Sequence, residues 1–245
     1  CKIQRGRFPF FNLNQILGEE LHEWKSRCII SEKYRRNEEP RMSFTGIFKA
    51  KDGLTAIADS KGSIKENGKY IEDPTRNPQK LFPFSNGVAV TCGANQIRVQ
   101  NPNRLFPQTI NLEDLVFEYL QSKHTLDSGF FQTLLVKMGT DPSNQEPVHF
   151  LIGRKIRASE YILERHQIGY RYYAERIGLD TDLFFTAGDE LYQQTFSRMD
   201  SIAHITSVDV LQKFVASKLD SMIKFYDETL SYNPVGGIIR SYILK

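Results

Sequence analysis

The chain has 245 residues, of which 40% are hydrophobic and 25% are charged, an ordinary balance for a globular protein of one large or two small domains. The formal net charge of +3 is too small to predict a nucleic-acid-binding surface. No apolar run approaches the ~20 residues that a membrane-spanning helix needs, so we expect no membrane partner.

The first 42 residues differ in pattern from the rest of the chain. Hydrophobic residues at helical spacing between Leu13 and Trp24 predict a helix. A charged stretch from Glu32 to Arg41 follows and is typical of a linker. We therefore expect an N-terminal extension over residues 1–42 and a separate domain over residues 43–245.

The second domain is predicted to open with two strand pairs. Residues 44–50 and 54–59 are short β-prone runs joined by Lys51-Asp52-Gly53, and Asp-Gly between such runs is a strong hairpin signal. Residues 80–84 and 87–92 form the second predicted pair, and the polar stretch between the two pairs is interpreted as a long loop or an irregular hairpin.

Two helices, four strands, a long helix and a last strand are predicted next. In chain order they are residues 112–120, 128–138, 148–154, 161–165, 169–176, 183–187, 207–226 and 238–244. Asn111 is the expected N-cap of the first helix. Runs of strands that alternate with runs of helices are typical of α+β proteins. We therefore expect a four-layer αββα sandwich, in which two antiparallel sheets lie between helical layers.

We expect neither a metal nor a cofactor. None of the five histidines has a second ligand at metal-binding spacing, and no nucleotide-binding glycine motif is present. The three scattered cysteines, Cys1, Cys28 and Cys92, argue against a disulfide framework and favour a reducing, cytoplasmic location.

A chemical hypothesis comes from the start of the first strand. If the chain is cut between Met42 and Ser43, a hydroxyl and a free α-amine lie on one residue. An α-amine has a pKa of about 8, so it can act as the general base for that hydroxyl. A nearby lysine would lower the pKa of the nucleophile or amine, and a carboxylate would hold the lysine in place. Asp59, after the second strand, and Lys80, before the third, are the candidates.

Five segments together carry a family pattern. The first is the opening hairpin, with its Asp-Gly turn and its ending Ala58-Asp59-Ser60-Lys61. The others are the lysine-led hairpin of residues 80–90, Cys92-Gly93-Ala94, Thr186-Ala187-Gly188-Asp189, and Asn233-Pro234-Val235-Gly236-Gly237. They resemble the proteasome β-subunit family of N-terminal-nucleophile (Ntn) hydrolases, which includes the bacterial HslV peptidase and the Anbu proteins.

The resemblance implies roles for individual residues. Ser43 falls at the nucleophile position, Asp59 would orient Lys80, and the backbone N–H of Gly93 would contribute to the oxyanion hole. Further residues resemble those that support the nucleophile's amine, namely Asp227, Glu228 and Ser231.

Four departures from the family pattern affect these roles, and the most important is that 42 residues precede Ser43. The nucleophile would be a serine where the family usually has threonine. The stretch between Asp59 and Lys80 is longer than usual, so Lys61 and Lys69 compete with Lys80. Ala187 replaces the family's supporting serine. Apart from these departures, the pair Gly236-Gly237 is interpreted as a simple turn.

The implied activity is a cytoplasmic threonine-peptidase-like hydrolase that cleaves peptide bonds by acyl transfer through Ser43. Its expected partners are copies of itself in a ring or stack, a peptide or protein substrate, and an ATP-dependent unfoldase. Autolysis, or a natural start at Met42 followed by removal of that methionine, would expose Ser43. Two alternatives stay open: a non-catalytic structural subunit that keeps residues 1–42, and a small-molecule amidase.

Overall fold

The computed structural model describes residues 43–67, 69–73, 76–100, 106–141, 144, 146–158, 160–169, 172–178, 184–197 and 205–245. The expected N-terminal extension and its helix lie outside these residues. The strands are β1 (Phe44–Ala50), β2 (Gly53–Ala58), β3 (Ser63–Glu66), β4 (Lys69–Glu72), β5 (Leu81–Phe84), β6 (Gly87–Gly93), β7 (Gln96–Val99), β8 (Gln108–Asn111), β9 (Val148–Arg157), β10 (Glu160–Ile168), β11 (Tyr172–Gly178), β12 (Phe184–Gly188) and β13 (Arg240–Leu244). The helices are α1 (Leu112–Lys123), α2 (Ser128–Gly139), α3 (Glu190–Ser197) and α4 (Val208–Thr229).

The first sheet has the strand order β12-β1-β2-β13, and all neighbours are antiparallel. The hairpin predicted from Asp52-Gly53 is confirmed, because Ala50 pairs with Gly53 across a two-residue turn. The carboxylate of Asp52 also accepts the backbone N–H of Val208 at 2.7 Å. The turn therefore anchors the start of the longest helix, α4, against this sheet.

The second sheet has the strand order β11-β10-β9-β6-β5 and is also antiparallel throughout. The second predicted hairpin forms its β5–β6 edge, with Phe84 opposite Gly87. The predicted pair of helices becomes α1 and α2, which lie on the outer face of this sheet. Asp127 caps α2, because its carboxylate accepts the N–H groups of Gly129 and Phe130 at 2.9 and 3.3 Å.

Three hydrophobic layers separate four layers of secondary structure. Phe44 and Phe48 point from β1 toward α3 and α4, whereas Ile47 points from the same strand toward the second sheet. This alternation is the period-2 pattern of a strand that is covered on both faces. The third layer packs Phe131 of α2 against Phe150 of β9. The structure thus confirms the predicted four-layer αββα sandwich.

Three local predictions need correction or completion. The polar stretch after β2 contains a short hairpin, β3–β4, and a second short pair, β7–β8, was not predicted. Asn111 occupies the N-cap position of α1, but its side chain makes no cap hydrogen bond. Its side-chain amide instead accepts a hydrogen bond from Arg76 and donates one to Asp114, both at 2.8 Å. None of the helices in the described ranges is long and apolar enough to cross a membrane.

The predicted site segments meet at one end of the sandwich. Phe44 at the start of β1 lies opposite Gly188 at the end of β12, and the backbone N–H of Asp59 donates to the carbonyl of Phe44 at 3.1 Å. In the second sheet, the N–H of Thr91 donates to the carbonyl of Lys80 at 2.9 Å. Antiparallel pairing therefore places the starts of β1 and β5 and the ends of β2 and β6 side by side.

Candidate active site

Three of the predicted site residues lie within hydrogen-bond distance of one another. The ammonium of Lys80 lies 2.8 Å from Ser43 Oγ and 3.0 Å from Asp59 Oδ1. It also lies 2.8 Å from the carbonyl oxygen of Lys61, so all three of its N–H donors have an acceptor. The exposed fractions are 4% for Ser43, 1% for Asp59 and 4% for Lys80. The cluster is therefore shielded from bulk water.

Asp59 ties the cluster to three backbone segments. Its Oδ1 accepts the N–H of Phe44 at 2.9 Å, and its Oδ2 accepts the N–H groups of Lys61 and Gly236 at 3.2 and 3.3 Å. Hydrogen bonds to an ionised carboxylate are stronger than those between neutral groups. One buried carboxylate thus connects β1, the segment after β2 and the approach to β13.

The geometry distinguishes Lys80 from its competitors. The ammonium of Lys61 points to a different partner, Glu72 Oε2 at 3.2 Å, and Lys69 lies in the β3–β4 hairpin. Because Lys80 donates a hydrogen bond to Ser43 Oγ, the hydroxyl proton of Ser43 must point in another direction. A cation in this position stabilises a developing negative charge on the serine oxygen. Lys80 is therefore the lysine that can assist nucleophilic attack by Ser43.

The main chain of Ser43 is held by the turn between β12 and α3. The carbonyl oxygen of Ser43 accepts the N–H of Asp189 at 2.7 Å. The carboxylate of Asp189 caps α3 by accepting the N–H groups of Leu191 and Tyr192 at 3.0 and 3.3 Å. Burial raises the pKa of Asp189, and these two backbone donors partly offset that effect. The turn thus fixes the position of Ser43 at the start of β1.

Gly188 is required by this close approach, which gives a testable prediction. Its φ is +114°, and a Cβ built on it would lie 1.9 Å from the carbonyl oxygen of Ser43. We expect Gly188→Ala to lower the free energy of unfolding by about 3 kcal/mol or more, measured by urea denaturation. The matched control is Gly139→Ala at the end of α2, where a Cβ meets no atom within 4 Å. Equal stability of the two variants would contradict the prediction.

Gly93 lies at the end of β6, where the resemblance assigns the oxyanion donor. Its φ is +90°, and a Cβ there would lie 2.1 Å from the carbonyl oxygen of Pro147, so the position requires glycine. Alternate residues of a strand direct their N–H groups to the same side. Because the N–H of Thr91 points to Lys80, that of Gly93 points to the same side, past the start of β5. The N–H of Gly93 is therefore directed toward the end of the sandwich that holds Lys80.

The three residues assigned to support the amine are exposed at the end of α4 or just beyond it. Asp227 and Glu228 are exposed on the last turns of α4, and Ser231 is exposed just beyond it. The carboxylate of Asp227 accepts the side-chain amide of Asn233 at 3.0 Å. Among the described residues, no hydrogen bond or ion pair of Asp59 or Lys80 includes any of the three.

Sequence reasoning missed the backbone that supports Asp59. The pair Gly236-Gly237 does form a turn, but Gly236 also donates to Asp59 and its carbonyl accepts the N–H groups of Ser60 and Lys61 at 3.2 and 3.0 Å. The buried hydroxyl of Ser60 accepts the N–H of Ile238 at 2.8 Å and donates to Asn77. The segment thus links the end of β2 to the approach to β13. No group of three or more His, Cys, Asp or Glu residues in the described ranges could hold a metal ion.

The protein was compared with known proteins by sequence and by structure, and matches were found by structure. No family model matches the sequence, and no curated protein matches it. Anbu (ancestral beta-subunit) from Yersinia bercovieri is 14% identical, with a TM-score of 0.49 over 82% of this chain and 80% of that chain. An Anbu (Gly-1) mutant from Hyphomicrobium sp. strain MC1 is 16% identical, with a TM-score of 0.47 over 82% and 81% of the two chains.

The third comparison is with the helical assembly of the Anbu complex from Pseudomonas aeruginosa. It is 15% identical, with a TM-score of 0.51 over 82% of this chain and 80% of that chain. Structural similarity at so low a sequence identity shows a common fold. It does not carry the chemistry of one protein over to the other, because function depends on the residues of each site. The chain therefore has the proteasome-like Ntn hydrolase fold of the Anbu proteins.

Proposed function

We propose that this chain is a proteasome-like Ntn hydrolase that cleaves peptide bonds by acyl transfer through Ser43, once Ser43 has a free α-amine. The observation that carries the proposal is the ammonium of Lys80, 2.8 Å from Ser43 Oγ and 3.0 Å from the carboxylate of Asp59. Burial makes this cation more effective, because a charge interaction is stronger where water is excluded. An ordinary surface serine has no such partner.

The reaction proceeds in two half-reactions. The α-amine of Ser43 takes the hydroxyl proton as Oγ attacks the substrate carbonyl carbon. The N–H of Gly93 donates to the resulting oxyanion, and Lys80 stabilises the negative charge that develops on Oγ. The α-ammonium returns its proton to the leaving amine, and an ester is left on Ser43. Water then attacks this ester by the same route and releases the acid.

The proposal includes self-association. The related Pseudomonas structure is a helical assembly. The side of α4 that faces away from the first sheet presents Val210, Phe214 and Phe225 to solvent. Exposed apolar residues at helical spacing are typical of a surface that another subunit covers. A cytoplasmic location and an ATP-dependent unfoldase partner are parts of the proposal that follow from the family resemblance.

The mass of the purified full-length chain and its hydrolysis of peptides test the proposal together. We expect a product that begins at Ser43 and that cuts unstructured peptides. Intact-mass spectrometry locates the N-terminus, and chromatography of the peptide digest measures the cleavage. A protein that retains residues before Ser43 and cuts no peptide would contradict the proposal and favour a non-catalytic structural subunit.

A further inference from the structure

A polar cavity of about 110 Å³ opens between the two sheets at the same end of the sandwich as Ser43. The roles proposed above for Ser43, Asp59, Lys80 and Gly93 do not involve this cavity. Six residues from four strands and one helix provide most of its polar lining and its wall toward the nucleophile: His149, Arg165, Gln167, Tyr173, Ala187 and Gln193.

The cavity adjoins the candidate nucleophile through the first sheet. Thr45 pairs with Ala187 and Phe44 with Gly188, so Ser43 continues this register opposite Asp189. Because side chains alternate along a strand, Ser43 and Ala187 project from the face that meets the second sheet. Diagonal neighbours of this kind have Cβ atoms about 7 Å apart or less. The cavity therefore begins within a side chain's length of Ser43.

The opposite wall of the cavity adjoins Gly93. His149 pairs with Cys92 and Val148 with Gly93, and a Cβ built on Gly93 would lie 3.5 Å from the imidazole Cδ2 of His149. His149 therefore connects the cavity wall to the end of β6. The side-chain amide of Gln193 donates to the carbonyl of Gly188 at 2.7 Å, which holds this residue beside the turn at Ser43.

The far end of the cavity carries a cation. Arg165 Nη1 lies 3.4 Å from Glu175 Oε2, and the two side chains are 47% and 36% exposed. This separation exceeds the 2.7–2.9 Å of a strong charge-assisted bond, and it engages one of the five N–H donors of a guanidinium. Of the described residues that line the cavity, none carries a carboxylate. The cavity therefore offers a substrate the guanidinium of Arg165 together with other hydrogen-bonding side chains.

The chemistry and size of the cavity both favour a small anionic group. A guanidinium matches the planar, two-oxygen geometry of a carboxylate. The volume is below the ~150 Å³ of a cavity that holds benzene, which excludes a large aromatic side chain. We propose that this cavity is a substrate subsite for a carboxylate, and that Arg165 makes the enzyme prefer peptide bonds flanked by an acidic residue. The inference rests on the proposed function.

Cleavage-site mapping with the full-length protein tests this subsite. In a peptide mixture, the wild type should cut next to Asp or Glu, and matched peptides with Glu or Gln at that position then give two kcat/KM values. We expect Arg165→Gln to lower the Glu/Gln ratio of kcat/KM by about 10-fold or more, because a charge-assisted bond is lost. The matched control is Arg157→Gln, at the end of β9 that lies away from the cavity, where an exposed arginine pairs with Glu160 at 3.7 Å. An unchanged ratio in Arg165→Gln would overturn the proposal.

A binding measurement separates failure of the subsite from failure of the proposed function. N-acetylglutamate and N-acetylglutamine differ in the side-chain carboxylate, and calorimetry reports their binding without any cleavage. Tighter binding of N-acetylglutamate to the wild type than to Arg165→Gln would support the subsite even if no peptide is hydrolysed. Equal binding of both compounds to both proteins, or no binding of either, would overturn it whether or not peptides are cut.

Discussion

The Ser43→Ala variant is expected to fold normally and to lose peptide hydrolysis. Removal of a nucleophile from a catalytic unit typically costs 10³-fold or more in kcat/KM. The effect on stability should be small, because Lys80 keeps Asp59 at 3.0 Å and the carbonyl of Lys61 at 2.8 Å as acceptors. We expect a loss of about 1 kcal/mol, which is typical of one hydrogen bond. Peptide hydrolysis and urea denaturation provide the two measurements.

Two further variants make this result specific to the Ser43 hydroxyl. Ser43→Thr retains a hydroxyl on the first residue and should keep measurable hydrolysis. Ser217→Ala, on the exposed side of α4, makes the same chemical change away from the site and should match the wild type. If the cut before Ser43 is autolytic, Ser43→Ala should also accumulate the longer chain in the mass spectrum. Unchanged hydrolysis by Ser43→Ala would eliminate the proposed nucleophile.

Asp59→Ala is expected to be the most destabilising single change at the site. It leaves the ammonium of Lys80 buried without its counter-charge, and it removes the acceptor of three backbone N–H groups, which belong to Phe44, Lys61 and Gly236. Breaking a buried ion pair in this way costs about 3–5 kcal/mol. For a domain of this size, we expect a decrease of about 10 °C in Tm. Differential scanning calorimetry measures the shift.

A double variant identifies the ion pair as the cause of that loss. Asp59→Asn combined with Lys80→Met removes both charges at similar volume, and it should recover much of the stability but none of the hydrolysis. The surface pair of Asp220 with Lys224, at 2.7 Å, provides the matched control. Because exposed ion pairs contribute about 1 kcal/mol or less, Asp220→Ala should change Tm little. A double variant as unstable as Asp59→Ala would show that the buried charge is not responsible.

Short-range patterns predicted much of the fold. The Asp52-Gly53 turn sets the register of β1 and β2, because a two-residue loop leaves few ways to pair its flanking strands. The period of the apolar residues in α4 identifies its buried side. The pair β7–β8 was missed because its strands have only four residues each, and the β8 sequence Gln-Thr-Ile-Asn shows no clear alternation of apolar and polar residues. Such strands form when neighbouring elements supply the partners, which a local pattern does not record.

The candidate catalytic side chains could be named from the sequence, because Ser43, Asp59 and Lys80 lie at predicted strand ends with the residue types that the chemistry requires. Their association depends on contacts between distant parts of the chain. Ser43 and Lys80 are 37 residues apart, and Asp59 and Gly236 are 177 residues apart. Periodicity and turn signals extend over about ten residues, so they could not distinguish Lys80 from Lys61 or reveal the N–H of Gly236.

The short range of sequence patterns also explains why they did not predict the exposure of the residues near the C-terminus or the cavity beside Ser43. Asp227 and Ser231 have suitable functional groups, but the packing of α4 leaves both of them exposed. The cavity beside Ser43 exists because the start of β9 and the ends of β10 and β12 lie next to one another when the two sheets stack. The sequence determines which functional groups are present and in what order. The distances between these groups depend on how the two sheets stack to bury their apolar faces.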